Sequence, residues 1–372
     1  VDIYTLDENF LRQDLIDNFT SVIWTERYTK AGDVTLVVPL TQENLVKLPE
    51  GIFLGTPGTR EIMQVENALV EKNQLKLTGP SITQFLDNRV IRYSANHADR
   101  YYNVTLKPGL AMGYVVNDMV VAGGPYTSSS AYGIDGPRQV IPGLQVMDMD
   151  SSGDAVALAI PYGPLYAALT QLADTYQIGL QMYLESATPA AYFLGFRTYA
   201  GKDRTSQGQP DNPVRFSPNV DSLTDLKELR SIAKYKNVAY AFAPSNPVEG
   251  VTQSGVAYAD NEAATSIGFN RRTLLVFADD LTTDKVGGSA TVLLQVLNQR
   301  AKDALANNNY IKTVDGEIVP QTQFKYGQHY GMGDIIELQG LSGTLQRARV
   351  TEYIRSQDAT GERAYPTISV ID

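Results

Sequence analysis

Three pairs of carboxylates stand close enough in sequence to act together: Asp148 and Asp150, Asp279 and Asp280, and Asp334 and Glu337. Two carboxyl groups flanking a sugar linkage are the machinery of glycoside hydrolysis. The settings of these acids favour a plainer reading. Asp148 and Asp150 lie in the loop-like Met147–Gly153, and Asp279-Asp280 ends an apolar strand. Solvated turn acids explain all three pairs. None has the spacing of a calcium-binding loop.

Glycines offer a second chemistry. Gly327, Gly331 and Gly333 punctuate a loop. A phosphate cradle places such glycines between a strand and a helix N-terminus, with Lys and Ser or Thr following. Here Asp334 and an apolar strand follow, so the glycines read as loop positions that permit positive φ. His329 has no serine or aspartate partner assignable by spacing, and no Gly-x-Ser-x-Gly elbow occurs. Beside Tyr330 it reads as a packing or interface residue. The chain has no cysteine, which excludes disulfides, thiol nucleophiles and thiolate metal sites. The two histidines, His97 and His329, are far apart. The expectation is a protein without catalytic residues, metal or cofactor.

What remains are surfaces for binding. Arg347, Arg349, Thr351 and Tyr353 alternate with Ala348, Val350 and Ile354, giving one polar and one buried strand face. Arg347 and Arg349 either meet an acidic partner, or lie on a solvated face or in a cross-strand ion pair with Glu337. Tyr101 and Tyr102, with Tyr126 and Tyr132, fall in a loop-rich stretch. Exposed tyrosines suit protein interfaces and sugar grooves alike. Trp24, the only tryptophan, reads as a core anchor.

The elements that position these residues are mostly strands. Phe324–Asp334 opens into Ile335–Leu338, turns at Gly340–Gly343 and returns as Leu345–Ile354. Ser21–Tyr28 and Asp33–Pro39 form an earlier pair, with Val34, Leu36 and Val38 on one face. Val1–Asp7, Phe10–Ile16, Gly51–Leu54, Glu61–Val70 and Gln74–Thr78 read as further strands. Helices are predicted at Thr41–Leu48, capped by Thr41, at Ile82–Leu86 and at Val115–Val121. A longer helix, Pro164–Gln177, starts on Pro164 and is ended by Gly179, and another spans Ser289–Asn307. Two hairpins end near a Gly-Asp step, Gly32-Asp33 and Gly333-Asp334.

With 372 residues, 43% hydrophobic and 19% charged, the chain is globular and long enough for two or more domains. Its 30 Gly, 18 Pro and 22 Tyr favour a β-rich fold. The net charge of −10 argues against tight general binding to nucleic acid, while an acidic wall would let DNA slide past. Neither a signal peptide nor a membrane span is expected.

Tyr330-Gly331-Met332-Gly333-Asp334-Ile335-Ile336-Glu337-Leu338, the run Arg347–Tyr353, and Tyr365-Pro366-Thr367-Ile368 resemble the end of the tail-hub proteins of long-tailed phages. These are siphophage minor tail proteins, related to the baseplate hub of contractile phages and to the hub region of tail-associated lysins. Trp24–Tyr28 running into Gly32-Asp33 resembles another segment of that family. So do Leu75–Gly79 with Phe85–Arg89, and Gly201–Thr205 with Val214–Pro218. Their order and spacing carry the resemblance, and the stretch 93–150 stands outside it.

The resemblance implies a mainly β fold with a few helices (α+β): two tube-like β-barrel domains with inserted loop-rich and α/β segments. The expected divisions are 1–92, a first barrel; 93–162, a loop-rich insertion; 163–222, an α/β connection; and 223–372, a second barrel carrying helix 289–307. It further implies a homotrimeric ring at the tail tip of the virion, made in the host cytoplasm. That ring adapts the six-fold tube to a three-fold tip and passes DNA without specific binding. Implied partners are the distal tail ring protein, the tape measure protein and tail-tip spike or fibre proteins. The chain ends at Asp372, just after its last strand, so no hydrolase module is expected. The motif positions Tyr330, Gly331, Gly333, Asp334, Arg347 and Arg349, with Tyr101 and Tyr102, are the interface candidates. The alternative is a carbohydrate-binding or glycan-degrading receptor-binding tail component.

Overall fold

The first hairpin pairs β1 (Ile3–Leu6) with β2 (Arg12–Ile16), setting Ile3 opposite Ile16. In β3 (Ser21–Arg27) and β4 (Asp33–Pro39), Val22, Trp24, Val34, Leu36 and Val38 face inward and are buried, as period-two alternation requires. The short helix α1 (Gln42–Lys47) is capped as predicted, the Thr41 hydroxyl accepting from the Asn44 amide at 3.1 Å. Then come β5 (Phe53–Gly55), β6 (Met63–Gln64), β7 (Asn67–Glu71) and β8 (Gln74–Pro80). In β8 Lys76 points out between buried Leu75 and Leu77. A 3₁₀ stretch, Ile82–Asn88, leads to β9 (Val90–Ile91).

Next lie β10 (Tyr101–Leu106) and α2 (Pro108–Val116), which runs into a π-helical turn over Asn117–Val121. The helix predicted at Val115–Val121 therefore starts earlier, on Pro108. Strands β11 (Leu144–Val146), β12 (Val156–Pro161) and β13 (Gly163–Pro164) precede α3 (Leu165–Tyr176), which buries Leu165, Leu169 and Ala173. Gln177, not Gly179, takes the left-handed position that ends α3, at φ 54°. Gly179 instead opens β14 (Gly179–Thr188), because a Cβ there would sit 2.5 Å from the Tyr28 ring. β15 (Ala191–Tyr199) pairs antiparallel with β14.

After β16 (Arg215–Phe216) come β17 (Leu223–Ser231), β18 (Val238–Phe242), β19 (Ser254–Tyr258), β20 (Thr273–Phe277), α4 (Ala290–Ala306) and β21 (Ile311–Ile318). The chain closes with β22 (Ile335–Gln339), β23 (Leu345–Asp358) and β24 (Gly361–Ile371). This computed structural model describes residues 1–91, 101–121, 139–188, 191–218, 223–243, 254–258, 266–279, 281, 290–306, 308, 310–318, 324–341, 343 and 345–371. His97, Tyr126, Tyr132, Asp280 and the glycine-rich stretches around 123–137 lie outside the described residues.

The chain divides into two compact units, Val1–Asp225 with Gly316–Asp372, and Leu226–Asp315. In the first, one eight-stranded sheet runs β16-β22-β23-β3-β4-β8-β7, with β24 on β23. Its central seam joins the two ends of the sequence, from Glu352 opposite Arg27 to Gln357 opposite Val22. Trp24, Leu36, Leu54 and Leu77 belong to one core of this unit, while α2, α3, β14 and β15 enclose a second. In the other unit β18 lies between β19 and β20, and α4 packs Leu293, Leu297, Ala301 and Leu305 onto Ala239, Ala241 and Ala257. The small alanines let the helix approach closely, and a Cβ on Gly255 would lie 2.6 Å from the helix backbone. The class is mainly β with a few helices. The eight-stranded path is open, and among the described residues no sheet closes into a barrel.

Candidate assembly site on the 324–354 hairpin

Ile336, Leu338, Ala348 and Val350 form the fully buried face of the β22–β23 hairpin. Glu337, Arg347 and Arg349 therefore share the opposite, polar face. Segment 201–217 is stitched along β22. Ile335 N donates to Lys202 O at 2.9 Å, Arg204 N to Ile335 O at 2.8 Å and Glu337 N to Val214 O at 2.9 Å, with β16 running parallel to β22.

That segment supplies the counter-charges. Glu337 Oε2 accepts from Arg215 Nε at 2.7 Å, and Oε1 accepts from the Ser206 amide at 2.8 Å and from its hydroxyl. Burial works to raise the Glu337 carboxyl, yet Ser206 and Arg215 hold it below the ordinary range. Arg347 reaches Asp203 at 3.0 Å. Burial opposes ionisation of Asp203 too, and Thr205 with Arg347 holds it below its usual value. The cross-strand pair anticipated between Glu337 and the strand arginines Arg347 and Arg349 is thus replaced by pairs to the incoming segment, Glu337 with Arg215 and Arg347 with Asp203. Asp334 completes the joint: Oδ1 accepts from Lys202 N at 2.7 Å, and Oδ2 from Arg204 Nε and Gly331 N, each at 3.0 Å. Such charge-assisted contacts fix geometry as well as charge.

The loop before β22 is built from rings. Tyr326 stacks on Tyr353, centroids 3.7 Å apart and planes at 8°. Buried Tyr330 meets Phe216 edge-on at 5.6 Å. His329 is a packing residue: its Nδ1 accepts from Lys325 N at 2.8 Å, and its ring lies 6.0 Å from Phe324. Gly327 and Gly333 adopt positive φ as the sequence predicted, at 79° and 83°, whereas Gly331 does not. Gly333 also faces Tyr28, whose ring would lie 2.2 Å from an added Cβ. Arg349 donates to Gly333 O at 2.8 Å and sits 5.5 Å from the Tyr28 ring centroid. The Tyr28 hydroxyl donates to Gln177 O at 2.9 Å and accepts from Gly201 N at 3.2 Å. Burial raises its pKa.

Sequence reasoning missed two buried acids beside this joint. Glu26 lies on the inward face of β3 with Val22 and Trp24, a position alternation could have flagged. Arg355 donates to it at 2.6 Å, but burial dominates and raises its pKa. Glu61, also buried, is pushed up to about 8 by burial and then by the Glu26 charge, against hydrogen bonds from Ser81, Gly32 N and Gln181. A cavity of about 360 Å³ opens beside them, lined by Glu26, Thr59, Arg60, Gln181, Arg197 and Tyr326.

Tyr101 and Tyr102 lie elsewhere, on β10 opposite Pro161 and Ile160 of β12, a sheet separate from the hairpin's. Tyr101 is exposed, and the Tyr102 hydroxyl donates to Asp118 at 2.6 Å. Asp150 accepts from the Ser152 hydroxyl at 2.6 Å, as a turn acid does. Among the described residues no three His, Cys, Asp or Glu side chains cluster to hold a metal, and no helix is long and apolar enough to cross a membrane.

The hairpin's Asp334, Glu337 and Arg347 are thus each paired with segment 201–217, and the fold is that of phage tail proteins. It is similar to the 43 kDa tail protein of prophage MuSo2 from Shewanella oneidensis, with a TM-score of 0.52 at 12% identity over 99% of this chain and 98% of that one. The tail protein from Neisseria meningitidis MC58 gives 0.51 at 11% identity, over 100% and 96%. The chain belongs to the Siphovirus ReqiPepy6 Gp37-like family, whose pattern matches residues 1–368. A search of curated protein sequences finds no match. The resemblance read from the sequence motifs is thereby upheld at the level of a siphovirus tail protein.

Proposed function

We propose that this protein is a structural hub at the tip of a long phage tail, three copies of which form a ring that adapts the six-fold tube to a three-fold tip and surrounds the DNA path. The observation that carries this reading is the single sheet welding residues 21–80 to residues 335–371. Its hairpin residues Asp334, Glu337 and Arg347 are each ion-paired within the protein, which suits a stiff load-bearing part. The Gly-Asp steps give further support. Gly32 and Gly333 each stand just before a hairpin strand, and each has an atom 2.2 Å from where a Cβ would stand.

In this reading each protomer contributes two tube-like parts, and three protomers present six similar parts. The ring packs against the distal tail ring protein, the tape measure protein and tip spike or fibre proteins. An acidic lumen lets DNA pass. Antibody labelling of virions at the tail tip tests the location. Labelling along the tube shaft, or tight binding of the isolated ring to duplex DNA at physiological salt, contradicts the reading.

A specific observation favours a second reading, glycan binding. On the open face of the second unit's sheet, Tyr240, Phe242 and Phe277 form a row of rings 6.2 and 6.3 Å apart with interplanar angles of 30° and 31°. Phe277 is 69% exposed. Glycan-array binding lost on Phe277→Ala would support this reading, and an empty array would remove it.

A further inference from the structure

The two halves of the hairpin joint leave a cavity of about 310 Å³, lined by Arg197, Lys202, Arg204, Tyr326, Tyr330 and Asp334 among others. Three cations face one carboxylate there, in a chain whose net charge is −10. Asp334 is already bonded on both oxygens, and one of its partners is Arg204. That pair cancels and leaves Arg197 and Lys202.

Arg197 is half-buried and held in place. Its Nε and Nη2 clasp the uncharged Gln181 Oε1 at 3.1 and 2.7 Å, and its guanidinium lies 5.2 Å from the Tyr183 ring and 4.7 Å from the Tyr199 ring. Among the described residues neither Arg197 nor Lys202 forms an ion pair. Glu26 senses the Arg197 charge from the adjoining cavity, but is already bonded to Arg355. Three tyrosines also line the space. Burial keeps the hydroxyls of Tyr199, Tyr326 and Tyr330 protonated well above neutral pH. Gly327 and Gly331 leave the rim open, since a Cβ on either would meet nothing within 4 Å.

A half-buried guanidinium without a counter-ion is costly, and a fixed fork beside a flexible ammonium is a geometry that recognises oxyanions. We infer that this cavity is an anion site, in which Arg197 and Lys202 hold one oxyanion, a carboxylate or a phosphate. The site rests on the fold of the first unit and not on the ring reading, so the two fail separately.

The test is calorimetric titration of the intact chain with inorganic phosphate, and separately with an acetylated Asp-Glu dipeptide amide, at ionic strength fixed with chloride. Binding of either probe with a Kd below about 10 mM is expected, weakened about fivefold or more by Lys202→Gln and abolished by Arg197→Gln. Preference for phosphate points to a free or polymer-borne phosphate, and preference for the dipeptide to an acidic side chain. Lys202 is exposed, so K202Q keeps the test valid if R197Q fails to fold. Absence of binding by both probes, or binding unchanged in folded K202Q and R197Q, overturns the inference.

Discussion

Glu337 and Arg347 stand opposite each other in the register of β22 and β23, yet each pairs with a different residue of segment 201–217. A double-mutant cycle between them should therefore give a coupling close to zero. The cycle between Glu337 and Arg215 should give about 1–3 kcal/mol, because Glu337 is 4% exposed and loses a charged partner. Denaturant unfolding of the three single and two double variants measures both. A larger Glu337–Arg347 coupling would show that the joint is wired otherwise.

Gly333 is constrained twice, by φ of +83° and by the Tyr28 ring 2.2 Å from its missing Cβ. Gly333→Ala should cost about 3 kcal/mol or more. Gly331→Ala, with neither constraint, should cost under about 1 kcal/mol. Equal thermal shifts for the two variants would contradict this account of the loop.

Glu61 gives a pH dependence with a definite sign. Its carboxyl rises from 4.5 to about 8 on folding. Between those values the unfolded chain has lost a proton that the folded chain keeps, so stability falls as pH rises from about 4.5 towards 8 and then levels. Glu61→Gln should flatten that slope and stabilise the protein at pH 8 by on the order of a few kcal/mol, with little change at pH 4.5. Fully buried Trp24 reports the unfolding by fluorescence. A wild-type stability that climbs over the same window, or parallel wild-type and E61Q curves, would sink this assignment.

Much of the fold was legible because its signals are local. The alternation of Val34, Leu36 and Val38, the exposed Lys76 between Leu75 and Leu77, and the Thr41 cap each depend on neighbours within a few residues. The end of α3 was misread because Gly179 answers to Tyr28, 151 positions away in the chain, and not to the helix it follows. The joint was half legible. The motif positions Asp334, Arg347 and Arg349 were found, but their partners lie 130 residues or more away for Arg204–Asp334 and Asp203–Arg347. Those pairings arise only once residues 202–204 and β16 align along β22, and nothing in the spacing encodes that register. The charge run Gly201–Thr205 was the available signal, though it gave no pairing.

The central claim is tested most directly by native mass measurement of the purified chain, alone and with its distal tail ring partner, followed by electron microscopy. The account predicts a species of three times the 40.7 kDa protomer that appears as a three-fold ring with an open centre. A monomer under both conditions would contradict it.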